Sequence, residues 1–228
     1  MNKQQYTFEL EASPFSWMVY AQELHEAANV IIKASGKEIN RFPKMDEGIT
    51  LQNAFFLNFG YSIENLLKGI LVAEDSSRIC DYCLDANISK GHDLLNLIKE
   101  VKCISLNKDE KKKLKLLSDA IPNWGRYPIP KSADKITQKV EYSDGLHKEL
   151  ETIWKKLIVA LYEMIKDAKW TSPSGIVVGG FRDSTLEPDI DAAIQKIREM
   201  GNSWFSSTCG NVDLSKTIYF DSELDRLA

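Results

Sequence analysis

The apolar residues of this chain recur at the three- and four-residue spacing of an amphipathic helix over most of its first 170 positions. This periodicity, together with capping residues and with glycines and prolines that stop helices, predicts five helices. Four of them run from Pro14 to about Ser35, from Leu51 to Ala73, from Lys90 to Lys102 and from Ser143 to Ala168. The remaining helix lies before the last of these and begins at a capping box formed by Asn107 and Glu110. The chain is therefore predicted to be mainly α, with its helices packed into a bundle.

The segment from Leu51 to Ala73 is the most apolar of these helices, and its hydrophobic side chains point in nearly every direction. A helix of this kind belongs at the centre of a bundle. It nevertheless carries a polar stripe, within an arc of about 120°, formed by Asn58, Tyr61, Ser62, Asn65 and Lys68. Buried polar groups need partners, so the stripe faces a wet groove, another subunit, another polar element or the solvent side of the bundle. Glu64 borders the stripe and precedes Lys68 by four residues, which allows an ion pair.

The last 58 residues have a different character from the helical part. The run from Ile176 to Val178 followed by two glycines predicts a short strand and a tight turn. A helix from Pro188 to Met200 and a second strand from Lys216 to Phe220 are predicted after it. The predicted organisation is a helical domain over residues 1–170 and a small C-terminal α/β appendage over residues 171–228, packed on the bundle.

Composition and charge narrow the class of protein. The 228 residues are 43% hydrophobic and carry a net charge of −4. No apolar run approaches the roughly 20 residues that span a bilayer, and the N-terminus shows no secretory signal, so a cytoplasmic protein with no membrane partner is expected. Residues 99–139 hold eleven Lys and Arg against five Asp and Glu. This excess of positive charge indicates either an anionic ligand or a solvated lysine-rich helix face.

Two of the four cysteines form a C-x-x-C motif, Cys80 and Cys83. A structural zinc site needs four ligands, and His92 is the only evident addition nearby. The motif therefore predicts reduced, unreactive cysteines, with zinc as the less favoured alternative. We expect no cofactor and no bound metal.

Three segments, in their order and spacing, resemble the HEPN superfamily of small helical proteins from prokaryotic defence and toxin–antitoxin systems. They are FFLNFGYSIENLLKGIL at residues 55–71, KGHDLLNLI at 90–98 and WGRYPIPK at 124–131. The resemblance implies an antiparallel four- or five-helix bundle that dimerises. It also implies a protein that binds RNA or a nucleotide, and in its best known form cleaves RNA without a metal ion.

The catalytic R-x(4–6)-H motif of that superfamily is absent, because no arginine lies five to seven positions before any histidine. The R-Y-P segment is similar to members for which nucleotide or nucleic-acid binding is proposed. Two functions are therefore expected as alternatives. One is a nucleotide- or RNA-binding protein, with a non-standard ribonuclease site. The other is an inactive module for dimerisation or partner binding, for example beside a nucleotidyltransferase.

The candidate site combines groups that suit phosphate chemistry, which requires a base and a cation beside the phosphate. Arg126 offers a planar fork for a phosphate or carboxylate, and its alternative role is a clamp paired with Glu64 or Asp93. Trp124 and Tyr127 would stack on a base or pack on the last helix. Asp93 is expected in the first turn of its helix, where it complements the helix dipole. The predicted catalytic residues are His92, Arg126 and His147, and the predicted ligand-binding residues are Asn58, Glu64, Asn65, Lys68, Asp93, Trp124 and Tyr127. A weaker alternative is a metal site formed by Glu64, His92 and Asp93.

Overall fold

The computed structural model describes residues 3–34, 51–80, 83–89, 92–123, 141–166 and 169–179, and the structural statements below refer to these ranges. The chain divides into two compact units, Met1–Ser184 and Thr185–Ala228. The second unit lies wholly outside the described residues, and with it the predicted helix from Pro188 and the predicted strand from Lys216. The stretch from Trp124 to Lys131 also lies outside them.

The described part of the chain is mainly helical, which confirms the predicted class, and it adds two small antiparallel sheets. The helices are α1 (Lys3–Glu11), α2 (Pro14–Ala34), α3 (Gln52–Glu74), α4 (Ala86–Ser89), α5 (Leu94–Glu100), α6 (Lys108–Ala120) and α7 (Asp144–Lys166), and the strands are β1 (Ile79–Cys80), β2 (Cys83–Leu84), β3 (Lys169–Thr171) and β4 (Val177–Gly179). A 3-10 turn, Ser76–Arg78, connects α3 to β1.

Helix α3 forms the centre of the described fold. Every residue from 62 to 72 is buried, including the polar ones. The helix contacts α2, α5, α6 and α7, so it has neighbours around most of its circumference. This arrangement follows from its all-round apolar sequence. It excludes the interpretation of the polar stripe as a solvent face, because Ser62, Asn65 and Lys68 are all buried.

Side-chain caps mark where α5 and α6 begin. The predicted capping box of α6 is confirmed, with Asn107 accepting from the Glu110 backbone and the Glu110 side chain accepting from the Asn107 N–H. Helix α5 is shorter than predicted. Asp93 is its N-cap rather than a first-turn residue, since its carboxylate accepts the N–H groups of the second and third helical residues. The helix ends at Glu100, and just after it the Glu74 carboxylate accepts the N–H groups of Lys102 and Cys103.

The hairpin of β3 and β4 packs against the helices. The strands pair antiparallel with Trp170 opposite Val178, and the Trp170 indole donates to the Val72 carbonyl of α3. Glu9 of α1 accepts hydrogen bonds from the hydroxyl groups of Ser172 and Ser174 in the connecting turn. Strand β3 and helix α1 are absent from the sequence-based prediction. The predicted domain boundary at residue 170 falls within β3.

Gly69 lets α2 and α7 approach α3 closely. A Cβ atom there would lie 2.9 Å from Leu161 Cδ2 and 2.9 Å from Trp17 Cβ. We expect Gly69→Ala to lower the free energy of unfolding by about 1–3 kcal/mol, because overpacking forces neighbouring helices apart. Urea denaturation followed by circular dichroism measures this.

Gly145→Ala is the matched control for Gly69→Ala. A Cβ at Gly145, in the first turn of α7, would meet only Ser143 Oγ at 4.0 Å. Alanine is the better helix former by about 0.5–1 kcal/mol, so this variant should be unchanged or more stable. Equal destabilisation of both variants would contradict the packing argument.

Candidate functional site

A buried ion pair on α3 forms the base of the candidate site. Lys68 Nζ lies 2.6 Å from Glu64 Oε1, and the two residues are 8% and 4% exposed. They are buried because α3 is the central helix, and the four-residue spacing places them side by side. The Lys68 ammonium also lies 5.9 Å from the centre of the Trp17 ring. A charge in this environment needs its partner, because water is excluded.

The His92 side chain contacts the second carboxylate oxygen of Glu64. The Nδ1–Oε2 distance is 2.9 Å, and the edge of the imidazole meets the Tyr61 ring with centroids 5.9 Å apart. The backbone of His92 is held by Ser118 of α6, whose hydroxyl donates to the His92 carbonyl and accepts the Leu94 N–H, both at 3.1 Å. The side chain of His92 is therefore bound to α3 and its backbone to α6.

The imidazole of His92 reaches the surface. Its side chain is 44% exposed, whereas that of Glu64 is 5% exposed. Because a carboxylate only accepts, Nδ1 is the donor to Glu64, and in the neutral form of the ring Nε2 then carries a lone pair. No residue in the described ranges hydrogen-bonds to Nε2. The arrangement is an oriented histidine–carboxylate pair whose outer nitrogen can take a proton from a bound molecule.

A second cluster joins α2 to α7 through Glu151. Oε1 of Glu151 lies 2.6 Å from His25 Nε2 and 3.2 Å from His147 Nε2, and it accepts from Asn29 Nδ2 at 3.4 Å. The Tyr142 hydroxyl lies 2.8 Å from His147 Nδ1. Both ring nitrogens of His147 therefore have partners within the fold. This cluster is a structural connection between helices rather than an open acid–base group.

His25 belongs to the core of this second cluster. Its ring stacks on Trp154 with centroids 3.8 Å apart, and its Nδ1 is buried without a hydrogen-bond partner among the described atoms. The Trp154 indole donates to Ser62 Oγ at 2.8 Å, and Ser62 Oγ donates to the Ala21 carbonyl at 2.6 Å. Ser62 of the predicted polar stripe thus binds two neighbouring helices.

The two clusters lie on opposite sides of α3. The ring of His147 packs against Phe55 and Phe59, with centroids 5.1 and 6.3 Å apart, on the side that carries Ser62. Glu64, which binds His92, follows Ser62 by two residues, and at 100° per residue it points about 160° away. The structure therefore does not bring the predicted catalytic residues His92 and His147 into one site.

The remaining predicted ligand-binding residues have varied environments. Asn58 and Asn65 donate to carbonyls of their own helix, those of Ala54 at 2.8 Å and Tyr61 at 2.7 Å. Asp93 is occupied as the cap of α5. Trp124, Arg126 and Tyr127 lie outside the described residues, so neither the predicted anion contact nor the predicted clamp is tested.

Three lysines of α6 are paired with acidic side chains. Lys113 pairs with Glu149 of α7, and Lys115 with Asp119 of its own helix. Lys112 pairs with Asp109 at the start of α6. Asp109 and Asp119 already belong to the five acids counted in residues 99–139. Glu149 is a carboxylate from outside that segment, but Glu110 within it pairs with Lys156 outside it. These pairs therefore leave the local excess of positive charge unchanged and favour neither interpretation.

The sequence-based prediction omitted His25, Asn29, Tyr142 and Glu151. Only the spacing of His147 and Glu151, four residues apart on a helix, signalled an interaction. His25 is 126 residues away from Glu151 along the chain, and no local pattern connects them.

Glu151 gives the fold a specific dependence on pH. Burial alone would raise its pKa, but hydrogen bonds from His25 and Asn29 and the charges of His25 and His147 lower the pKa below the ordinary value of 4.5. The stability it contributes is present above pH 4.5 and is lost as the pH falls through the lowered pKa of the folded state. We expect Glu151→Gln to cost about 1–3 kcal/mol at pH 7 and to flatten the loss of stability below pH 4.5. Urea unfolding at several pH values measures this, and parallel pH curves for the two proteins would contradict it.

Comparisons with known proteins found no match. No protein-family model, no curated protein and no solved structure matches the sequence. None of the described helices combines the length and hydrophobicity needed to cross a membrane. The resemblance to the HEPN superfamily therefore stays a prediction.

Proposed function

We propose that this chain is a HEPN-like protein that binds RNA at the surface around His92 and cleaves it without a metal ion. The observation that carries the proposal is the orientation of His92. Glu64 accepts from its Nδ1, the side chain is 44% exposed, and no described residue hydrogen-bonds to Nε2. The three ordered sequence segments support the same function. They also favour the antiparallel bundle and the dimer that the resemblance implies.

The proposed reaction is an internal transesterification of the RNA backbone. Nε2 of His92 takes the proton of a ribose 2′-hydroxyl, and the 2′-oxygen attacks the adjacent phosphorus. The bond to the 5′-oxygen breaks, and that oxygen takes a proton from a water molecule, which in turn receives the proton held by the His92 imidazolium. The products are a 2′,3′-cyclic phosphate and a free 5′-hydroxyl. Glu64 stabilises the imidazolium that forms, which is the role of a carboxylate behind a histidine base.

The proposal assigns the residues differently from the sequence-based expectation. His92 acts as the base, whereas His147 holds α2 and α7 together, because both of its nitrogens have partners inside the fold. Arg126 keeps its predicted role as the phosphate contact. Lys68 does not serve as that contact, because its ammonium is buried against Glu64.

The experiment compares an RNA oligonucleotide with its 2′-deoxy analogue in the presence of EDTA. We expect RNA to be cleaved with a cyclic phosphate end, and the deoxy analogue to be bound but left intact. Binding of both should weaken as salt rises from about 50 to about 200 mM, because phosphate contacts release counterions. RNA binding without cleavage would remove the nuclease assignment and leave nucleic-acid binding. A chain that binds neither oligonucleotide would contradict the whole proposal and favour the inactive dimerisation module.

A further inference from the structure

The C-x-x-C motif lies on a hairpin that the RNA-binding proposal does not use. Strands β1 and β2 pair antiparallel with Cys80 directly opposite Cys83. Residues opposite each other in an antiparallel pair present their side chains on the same face. Both thiols are free and exposed. The hairpin therefore displays two neighbouring sulfur atoms to solvent.

The position of this pair in the ladder disfavours a disulfide between the two cysteines. The Asp85 N–H donates to the Arg78 carbonyl at 2.7 Å, and hydrogen-bonded pairs recur every second position along antiparallel strands. Cys80 follows Arg78 by two residues and Cys83 precedes Asp85 by two residues, so Cys80 and Cys83 are also a hydrogen-bonded pair. Opposed Cβ atoms in such pairs are roughly 5.5 Å apart, whereas a disulfide needs about 3.8 Å.

The same separation suits two thiolates on one metal ion. Zinc binds thiolates at about 2.3 Å in a tetrahedron, and two cysteines separated by two residues are a frequent half of such a site. The base of the hairpin is fixed, because Arg78 Nη1 donates to Glu100 Oε2 of α5 at 2.8 Å and lies 3.9 Å from Asp85 Oδ2. The two sulfur atoms are thus presented from an anchored hairpin.

One hairpin supplies only two of the four ligands. In the part of the chain that the structure describes, no three His, Cys, Asp or Glu side chains are grouped so that they could hold a metal. We propose that two copies of this chain share one zinc ion through their Cys80 and Cys83 pairs, which together form a site of four thiolates. Four thiols and Zn²⁺ give a zinc tetrathiolate and four protons, so binding tightens as the pH rises.

The test uses the full chain, stripped of metal under reducing conditions and then titrated with zinc sulfate or cobalt chloride. We expect about half a metal ion per chain, as four ligands per ion require. A shift from monomer to dimer, or a more stable dimer, should appear by light scattering or native mass spectrometry. Cobalt should show the absorption of tetrahedral thiolate coordination. EDTA should reverse all three changes.

Cys80→Ser and Cys83→Ser should each reduce bound zinc by about tenfold or more and abolish the metal-dependent change in mass, because each removes two of the four thiolates. Cys103→Ser is the matched control. Its thiol is also exposed, but partial desolvation and the Glu74 carboxylate raise its pKa to about 11, which makes it a poor thiolate ligand. This variant should bind zinc like the wild type.

Three results would overturn the shared site. They are one zinc per monomeric chain, zinc binding that survives Cys80→Ser, and no binding at micromolar zinc. Each can be distinguished from failure of the RNA proposal, because the assays with oligonucleotides are run in EDTA.

Discussion

His92→Asn should lower the rate of RNA cleavage by about 10²–10⁴-fold, which is the usual contribution of a general base. The asparagine amide can still donate to Glu64 from the position of Nδ1, so the buried carboxylate keeps a partner. The variant has no counterpart of Nε2, the nitrogen that would take the 2′-hydroxyl proton. Because His92 is partly exposed, its replacement should leave the fold unchanged. Single-turnover cleavage of an RNA oligonucleotide in EDTA measures the effect.

Lys99→Ala is the control for this substitution. Lys99 is an exposed cation on α5, the short helix that begins two residues after His92, and its hydrogen bond among the described residues goes to Asn96 at 3.1 Å. Its loss should therefore change RNA binding modestly and cleavage little. The wild-type rate should rise with pH and then level off, because a general base acts in its unprotonated form, and His92→Asn should lack that rise. A His92→Asn protein that cleaves RNA at the wild-type rate would remove His92 from the mechanism.

Glu64→Ala should lower the free energy of unfolding by about 3–5 kcal/mol, the usual cost of removing one partner from a buried ion pair. The variant would leave the Lys68 ammonium buried without its carboxylate and would remove the acceptor of His92 Nδ1. Circular dichroism during urea denaturation measures the change. Cleavage should also fall, because His92 would lose the contact that sets its tautomer.

Two further variants separate the buried charge from the volume of the side chain. The double substitution Glu64→Leu with Lys68→Met fills similar space without charge, and it should recover most of the lost stability. Asp109→Ala breaks an exposed pair with Lys112, and it should cost far less than Glu64→Ala, because water screens an exposed ion pair. A Glu64→Ala protein as stable as Asp109→Ala would show that the buried pair contributes little.

The central helix could be predicted because its sequence carries the information locally. Apolar side chains in all directions place α3 at the centre, and the four-residue spacing of Glu64 and Lys68 forms their ion pair within one helix. The capping box at Asn107 is equally local. Where a helix is defined by its own neighbours along the chain, the prediction and the structure agree to within a few residues.

The parts that the prediction missed depend on contacts between distant residues. Helix α1 is largely polar, and Glu9 connects it to a turn 163 residues further along the chain. The strands β1 and β2 are two residues long, which is too short for an alternating pattern. The cluster around Glu151 joins α2 to α7, and no spacing along the chain reveals that His25 and His147 share one carboxylate oxygen.

The predicted candidate site was partly assembled by the fold. Glu64, Lys68 and His92 come together as one cluster, because α5 begins beside the polar edge of α3. Asn58 and Asn65 share that helix, but their amides donate to carbonyls of their own helix. Helical spacing alone could not distinguish side chains that bind another element from those that bind a carbonyl of their own helix.

The most direct test of the account is the protonation of the His92 ring, measured by ¹⁵N NMR with and without a non-cleavable 2′-deoxy oligonucleotide. In the neutral form of the ring we expect the proton on Nδ1 and none on Nε2, with the Nε2 resonance moving when the oligonucleotide binds. Glu64→Gln should remove the preference for a proton on Nδ1 over Nε2. A proton on Nε2, or an imidazole that the oligonucleotide leaves unchanged, would contradict the proposed role of His92.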